Sequence, residues 1–226
     1  MIDLFASAEE SAAFTIATIR DKPVRIPLLM GMVVIFPLLH GYTARIYRGG
    51  SKPPNLSKPL ELLIDGIRLT VISFIYALPF IGAIIIVGSQ GDLLLNLITH
   101  AESGLLFSEI GFVFFLIVGI ILLYAVVILF SMIGVIRTAR TKKFRDGFAF
   151  SAILAHIRRI GVVSYLSAVV FYTVIAFLVS LPAGYMMELS IIGYIPAFFI
   201  YAMVTVFAAR YFTLVFESGL PDSSNQ

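Results

Sequence analysis

Apolar positions dominate five uncharged stretches, 26 to 44, 69 to 91, 110 to 136, 160 to 187 and 189 to 209. Each reaches or nearly reaches the roughly 20 apolar residues that a helix needs to cross hydrocarbon. The pattern predicts an all-α, polytopic transmembrane helical bundle of about five spans. Shorter periodic segments surround them. Ala12, Ala13, Ile16 and Ile19 recur at helical spacing after Ser7 and Glu10, which have the spacing of a capping box, until Asp21-Lys22-Pro23 stops the pattern. Residues 1 to 22 thus read as an amphipathic helix on the membrane surface. Leu60, Leu63, Ile64, Ile67 and Val71 share one face of a helix that carries Glu61, Asp65 and Arg68 on the other, and this amphipathic turn runs straight into the second span. After the third span, Asp146 is the expected N-cap of an interfacial helix whose apolar face is Phe150, Ile153, Leu154 and Ile157. The stretch 89 to 110 holds Leu93, Leu94, Leu95, Leu97 and Ile98, too apolar for a free loop and too short for a span. A short helix on the outer surface is expected there.

The plan repeats. Both halves read as span, basic loop, surface helix, span, with a Leu-Pro pair in the second span of each, Leu78-Pro79 and Leu181-Pro182. Each unit begins on the same side, as in a parallel repeat. Duplication and convergence on one hairpin plan both remain open, because the Asp-Gly pairs at 65 to 66 and 146 to 147 lie at different distances from the following Leu-Pro. No stretch of ordinary composition is left for a soluble domain, so residues 1 to 226 read as a single transmembrane domain ending in the polar tail 218 to 226.

Charge orients the chain. Most of the 16 Lys and Arg residues lie in two clusters, 45 to 68 and 137 to 159, which the positive-inside bias assigns to the cytoplasm. The 89 to 110 stretch has Asp92, Glu102 and Glu109 without any Lys or Arg, and the turn near 184 to 190 has only Glu188, so both belong outside. Five spans then put the C-terminus in the cytoplasm and the N-terminus outside the cell membrane. Arg20, Lys22 and Arg25 argue against an external N-terminus, and a first stretch that re-enters at Pro37 would return it to the cytoplasm. Met1 to Arg20 carries Asp3, Glu9 and Glu10 before any base and lacks the positive start of a cleavable signal, so the first apolar stretch is expected to stay in the mature protein. The net charge of +3 could suggest nucleic acid, but the bases sit beside spans. Anionic lipid headgroups are the expected partner, at about 1 kcal/mol per base near the surface. A homo-oligomer or another membrane protein is the further partner considered.

Reactive groups are scarce. The absence of cysteine excludes disulfides, thiol redox chemistry and Cys-ligated zinc or iron–sulfur clusters. His-Glu-x-x-His, Gly-x-Ser-x-Gly and Walker patterns are missing. His40, His100 and His156 are too far apart to share a metal, so no catalytic residue, metal or cofactor is expected. Two constellations stand out. Tyr76, Tyr124, Tyr172 and Tyr201 lie near the midpoints of the second to fifth spans, where a phenol must find a partner or face water. They form a candidate midplane polar set, read either as mutual packing or as a pathway. Arg45, Asp65 and Arg68, with Glu61 and Arg48 nearby, form a candidate cytoplasmic cluster, read either as a helix-stabilising contact or as a site.

Gly41-Tyr42-Thr43-Ala44-Arg45 after the first stretch, Pro53-Pro54, Asp65-Gly66-Ile67 and Tyr76-Ala77-Leu78-Pro79 carry a resemblance. Arg137 to Arg145, Phe148, Phe150 and Tyr165-Leu166 follow in order. Over roughly 10 to 217 the chain resembles a family of uncharacterised archaeal and bacterial multi-pass membrane proteins, a domain of unknown function. The resemblance implies a polytopic membrane fold and no known activity, and it lends no catalytic residue. The expected function is a non-enzymatic scaffold, assembly partner or lipid-organising component; the alternative is a small transporter or channel for a neutral or apolar solute.

Overall fold

In the computed structural model, which describes residues 2–89 and 106–220, every regular element is helical. In chain order these are α1 (Leu4–Arg20), α2 (Arg25–Val34), α3 (Phe36–Tyr47), α4 (Pro59–Ser89) and α5 (Leu106–Thr141). A 3-10 turn (Phe144–Phe148), α6 (Phe150–Ile160), α7 (Val162–Leu189), a second 3-10 turn (Ile191–Gly193) and α8 (Tyr194–Glu217) complete them. The helices α4, α5, α7 and α8 are long and apolar enough to cross a membrane. Their exposed surfaces are rich in Phe, Ile, Leu and Val, among them Phe74, Ile85, Phe115, Leu122, Phe177 and Ile195. Water would tolerate no such continuous apolar surface; hydrocarbon does. The fold is a helical membrane bundle.

The first apolar stretch departs from the sequence expectation of a span. It folds as α2 and α3, of 10 and 12 residues. Ile35 lies between them at φ −96°, ψ 72°, outside the helical region. Pro37 explains the break: it has no N–H to give the Val33 carbonyl one turn back and its ring crowds that carbonyl, yet it suits the first turn of a new helix. Among the described residues, four helices rather than five therefore have the length to span.

Two compact units divide the described chain. The first comprises residues up to Ile72 and from Met132 onward; the second is Ser73–Ser131. In the first, α8 is the hub, with α1, α2, α3 and α7 all packed on it. Phe14, Leu29, Tyr42, Ile46, Leu62 and Val206 form its core. α1 begins earlier than the Ser7–Glu10 pair suggests, because Asp3 caps it by accepting from the Ala6 N–H at 3.0 Å. Its Ser11 and Thr18 are buried, their hydroxyls donated to the Ser7 and Phe14 carbonyls. This amphipathic helix thus sets its inner face against protein. In the second unit, Phe80 of α4 packs on Tyr124 of α5, ring centroids 5.1 Å apart. The surface helix expected within 89 to 110 falls almost wholly on 90–105, outside the described residues.

α3 and α4 cross with backbone nearly touching backbone. A Cβ on Gly41 would overlap the Leu62 carbonyl oxygen, and one on Gly66 would overlap that of Pro37. Only glycine permits this approach. The crossing is antiparallel: Pro37 meets Gly66, Gly41 meets Leu62, and one turn on, Arg45 reaches Lys58. Register at this contact decides which charges meet.

Candidate functional site

The ends of α3, α5 and α8 come together, and each leaves carbonyls without intrahelical partners. Arginines satisfy them reciprocally. Arg140, in the last turn of α5, donates from Nε to the Tyr47 carbonyl at the end of α3, at 2.8 Å. Arg48, just past α3, donates from Nε to the Ala139 carbonyl at the end of α5, at 2.9 Å. Arg210 of α8 donates to the Gly50 carbonyl at 2.8 Å and pairs with Glu10 of α1. Cations at these negative helix ends gain from the helix dipole as well as from the hydrogen bond. Arg140 does more: Nη2 binds Glu217 Oε1 at 2.6 Å and its guanidinium lies 4.7 Å over the Phe216 ring. Gly49 and Gly50 take φ +90° and +130°, which lets the chain leave α3 between these side chains.

His156 of α6 joins the same network. Its Nε2 lies 2.9 Å from the Phe216 carbonyl, and its ring stacks on that of Phe216 at 4.1 Å. A carbonyl only accepts, so Nε2 carries the proton of the neutral ring. Burial lowers the His156 pKa below its ordinary 6.5; the hydrogen bond to Phe216 opposes this, while Arg137, Arg159 and Arg140 lower it further. Asp146 is no helix cap. It sits in the 3-10 turn, its carbonyl accepting from Arg137 Nε at 3.3 Å, and α6 starts after Ala149 without a side-chain cap. The reason is the adjacent Gly147, where a Cβ would overlap Thr138 Oγ1: the turn is fixed by docking on α5.

Of the expected cytoplasmic cluster, Asp65 and Arg68 meet and Arg45 does not join them. Asp65, 8% exposed, accepts from Arg68 Nη1 at 3.3 Å and from Arg48 Nη2 at 2.6 Å. Arg45 instead donates to the Asn55, Ser57 and Lys58 carbonyls and pins the loop before α4. The Gly41–Gly66 crossing forces this, since it sets Arg45 level with Lys58 and leaves Asp65 to the side where Arg48 lies. Arg48, Glu61, Ile64, Asp65, Arg68 and Lys142 line a cleft of about 210 Å³.

Two of the tyrosines belong to each unit. In the first unit, Tyr172 belongs to an aromatic cluster: stacked on Tyr211 at 6.1 Å and edge-on to Phe212 at 4.9 Å. Tyr211, which sequence reading passed over, donates its hydroxyl to the Ala168 carbonyl at 3.2 Å. Tyr201 is half-buried, and among the described residues no ring contact joins it to Tyr172. In the second unit, Tyr76 is buried, while Tyr124 is 48% exposed and rests on Phe80. Between α1, α7 and α8 runs a groove of about 440 Å³ lined by side chains such as Ala12, Ile16, Ile175, Val179, Phe199 and Met203.

The profile of a family described as "Protein of unknown function (DUF4013)" matches residues 26–188. The chain belongs to the DUF4013 family. Searches of curated proteins and of solved structures returned no match. The DUF4013 match takes in the α3–α4 crossing, Arg48, Asp65, Arg68 and Arg140, whereas Arg210, Phe216 and Glu217 come from α8, beyond it. Arg210 had a visible signal, as the lone charge between Glu188 and Glu217 in this DUF4013 chain.

Proposed function

We propose that this DUF4013 protein is a non-enzymatic scaffold or lipid-organising component of the cell membrane. Its joined helix ends and its C-terminus face the cytoplasm, against anionic headgroups, with a membrane-protein partner or a second copy as the assembled neighbour. The observation that carries the reading is the use of the polar side chains: Arg48, Arg140, Arg210 and His156 are each bound to a backbone carbonyl at or just past a helix end. Groups held this way fix helix positions and are not free to move protons or bind a reacting atom. The apolar groove between α1, α7 and α8 favours a second reading, in which an apolar solute is held or passed there.

Single cysteines separate the two, because the chain has none of its own. Tyr172→Cys and Tyr201→Cys are tested in intact membranes with a small water-soluble thiol reagent. Glu102→Cys and Lys143→Cys serve as controls that should react from opposite sides. The scaffold reading expects both midplane positions to stay unlabelled; labelling at both, with solute flux in proteoliposomes, would replace it by transport.

A further inference from the structure

We propose that the cleft between the ends of α3 and α5 and the start of α4 binds one anionic phosphate group, that of a lipid headgroup or a free phosphate. The inference rests on the reading of this face as the headgroup side of the bundle.

Three cations line the cleft with unused donors. Arg48 spends Nε on the Ala139 carbonyl and Nη2 on Asp65, which fixes its guanidinium and leaves Nη1 uncommitted. Arg68 spends Nη1 on Asp65 and keeps Nε and Nη2. Asp65 thus holds two guanidinium groups in place. An orienting carboxylate between two arginines prepares the forked donors that recognise phosphate. Glu61, the other acid of the cleft, is itself paired with Lys58 at 2.9 Å. Three cations therefore line the cleft against two carboxylates, and the field inside is positive.

Lys142 is the independent observation. It closes α5 with φ +59°, its N–H bound to the Thr138 carbonyl at 2.8 Å. This left-handed closing position favours glycine, and a lysine there is strained. Among the described residues its ammonium makes neither an ion pair nor a hydrogen bond, yet it lines the cleft. Strain kept at a side chain without an ion pair or hydrogen bond of its own points to a ligand. Depth agrees: Glu61, Asp65 and Arg68 occupy the last polar turns before the uncharged stretch that begins at 69, the level of lipid phosphates.

The test uses the full chain in dodecyl maltoside, with dioleoylphosphatidylglycerol, dioleoylphosphatidylcholine and inorganic phosphate as probes and native mass spectrometry as readout. One saturable phosphatidylglycerol is expected, with phosphatidylcholine much weaker. Lys142→Gly relieves the strained backbone, so its thermal midpoint should equal or exceed that of the parent while phosphatidylglycerol binding weakens about tenfold, the loss of one charge-assisted contact. Arg68→Gln should weaken it similarly. If millimolar inorganic phosphate displaces the lipid, the site takes free phosphate; if it does not, the headgroup is the ligand. Unchanged binding in both folded variants, or equal binding of the two lipids, overturns the proposal. Micelles have neither sides nor gradients, so failure here leaves the scaffold reading standing, and transport or inverted sidedness would leave this result standing.

Discussion

A methyl group added at Gly41 or Gly66, in the first unit, would overlap a carbonyl oxygen, whereas at Gly82 or Gly119, in the second, it would meet no atom within 4 Å. The same residue type therefore does two things. In the first unit glycine lets α3 and α4 approach closely enough for Arg48, Asp65 and Arg68 to meet. In the second it only loosens helices whose outer faces are Ile, Leu and Phe. The first unit is specified by backbone contact and by charges on helix ends; the second is specified by apolarity, which many sequences would satisfy.

Substitutions can break that contrast. The largest effect is expected for Gly66→Ala, since backbone rather than a flexible side chain must yield: about 3 kcal/mol or more of stability lost, read as the midpoint of thermal or SDS unfolding in detergent. Next comes Asp65→Asn, which leaves Arg48 and Arg68 without their charge partner. These side chains are 27% and 24% exposed, so solvent screens part of the loss, and about 2 kcal/mol is expected. His156→Gln keeps a donor for the Phe216 carbonyl and should be nearly neutral at high pH, but it should change the pH response. The folded-state pKa of His156 is depressed, so the unfolded chain takes up the proton first and parent stability falls as pH drops below 6.5. Melting curves across that range should show the slope in the parent and lose that contribution in the variant. The smallest effect is expected for Gly82→Ala, between no change and a gain of up to about 1 kcal/mol from helix propensity. A loss there comparable to that at Gly66 would erase the contrast.

Much of the fold is legible in the sequence. The four spanning helices follow from apolar run length alone, because hydrocarbon demands it whatever the neighbours are. The break at Pro37 is visible too, but weighing it against the apolarity of 26 to 44 requires knowing that α2 and α3 have α8 to pack on. Charge partners were less legible. Arg45 and Arg48 are one turn apart and look equivalent in one dimension; only the register of the glycine crossing sends the first to the loop at 55 to 58 and the second to Asp65. Likewise Asp146 has the side chain of an N-cap, and the docking of Gly147 on Thr138 overrides it. Tyr172 was legible as a phenol in need of a partner, but its neighbours Tyr211 and Phe212 sit toward the far end of α8, reached through packing rather than through equal depth in a span.

Central to the account is that Arg48 and Arg140 hold one interface together, each capping the helix that the other belongs to. A double-mutant cycle with Arg48→Ala, Arg140→Ala and the pair, measured by unfolding in neutral detergent, tests this most directly. Reciprocal capping predicts that the second substitution costs less than the first, with a coupling of about 1 kcal/mol or more. Strict additivity would mean that the two arginines act separately, and would contradict the account.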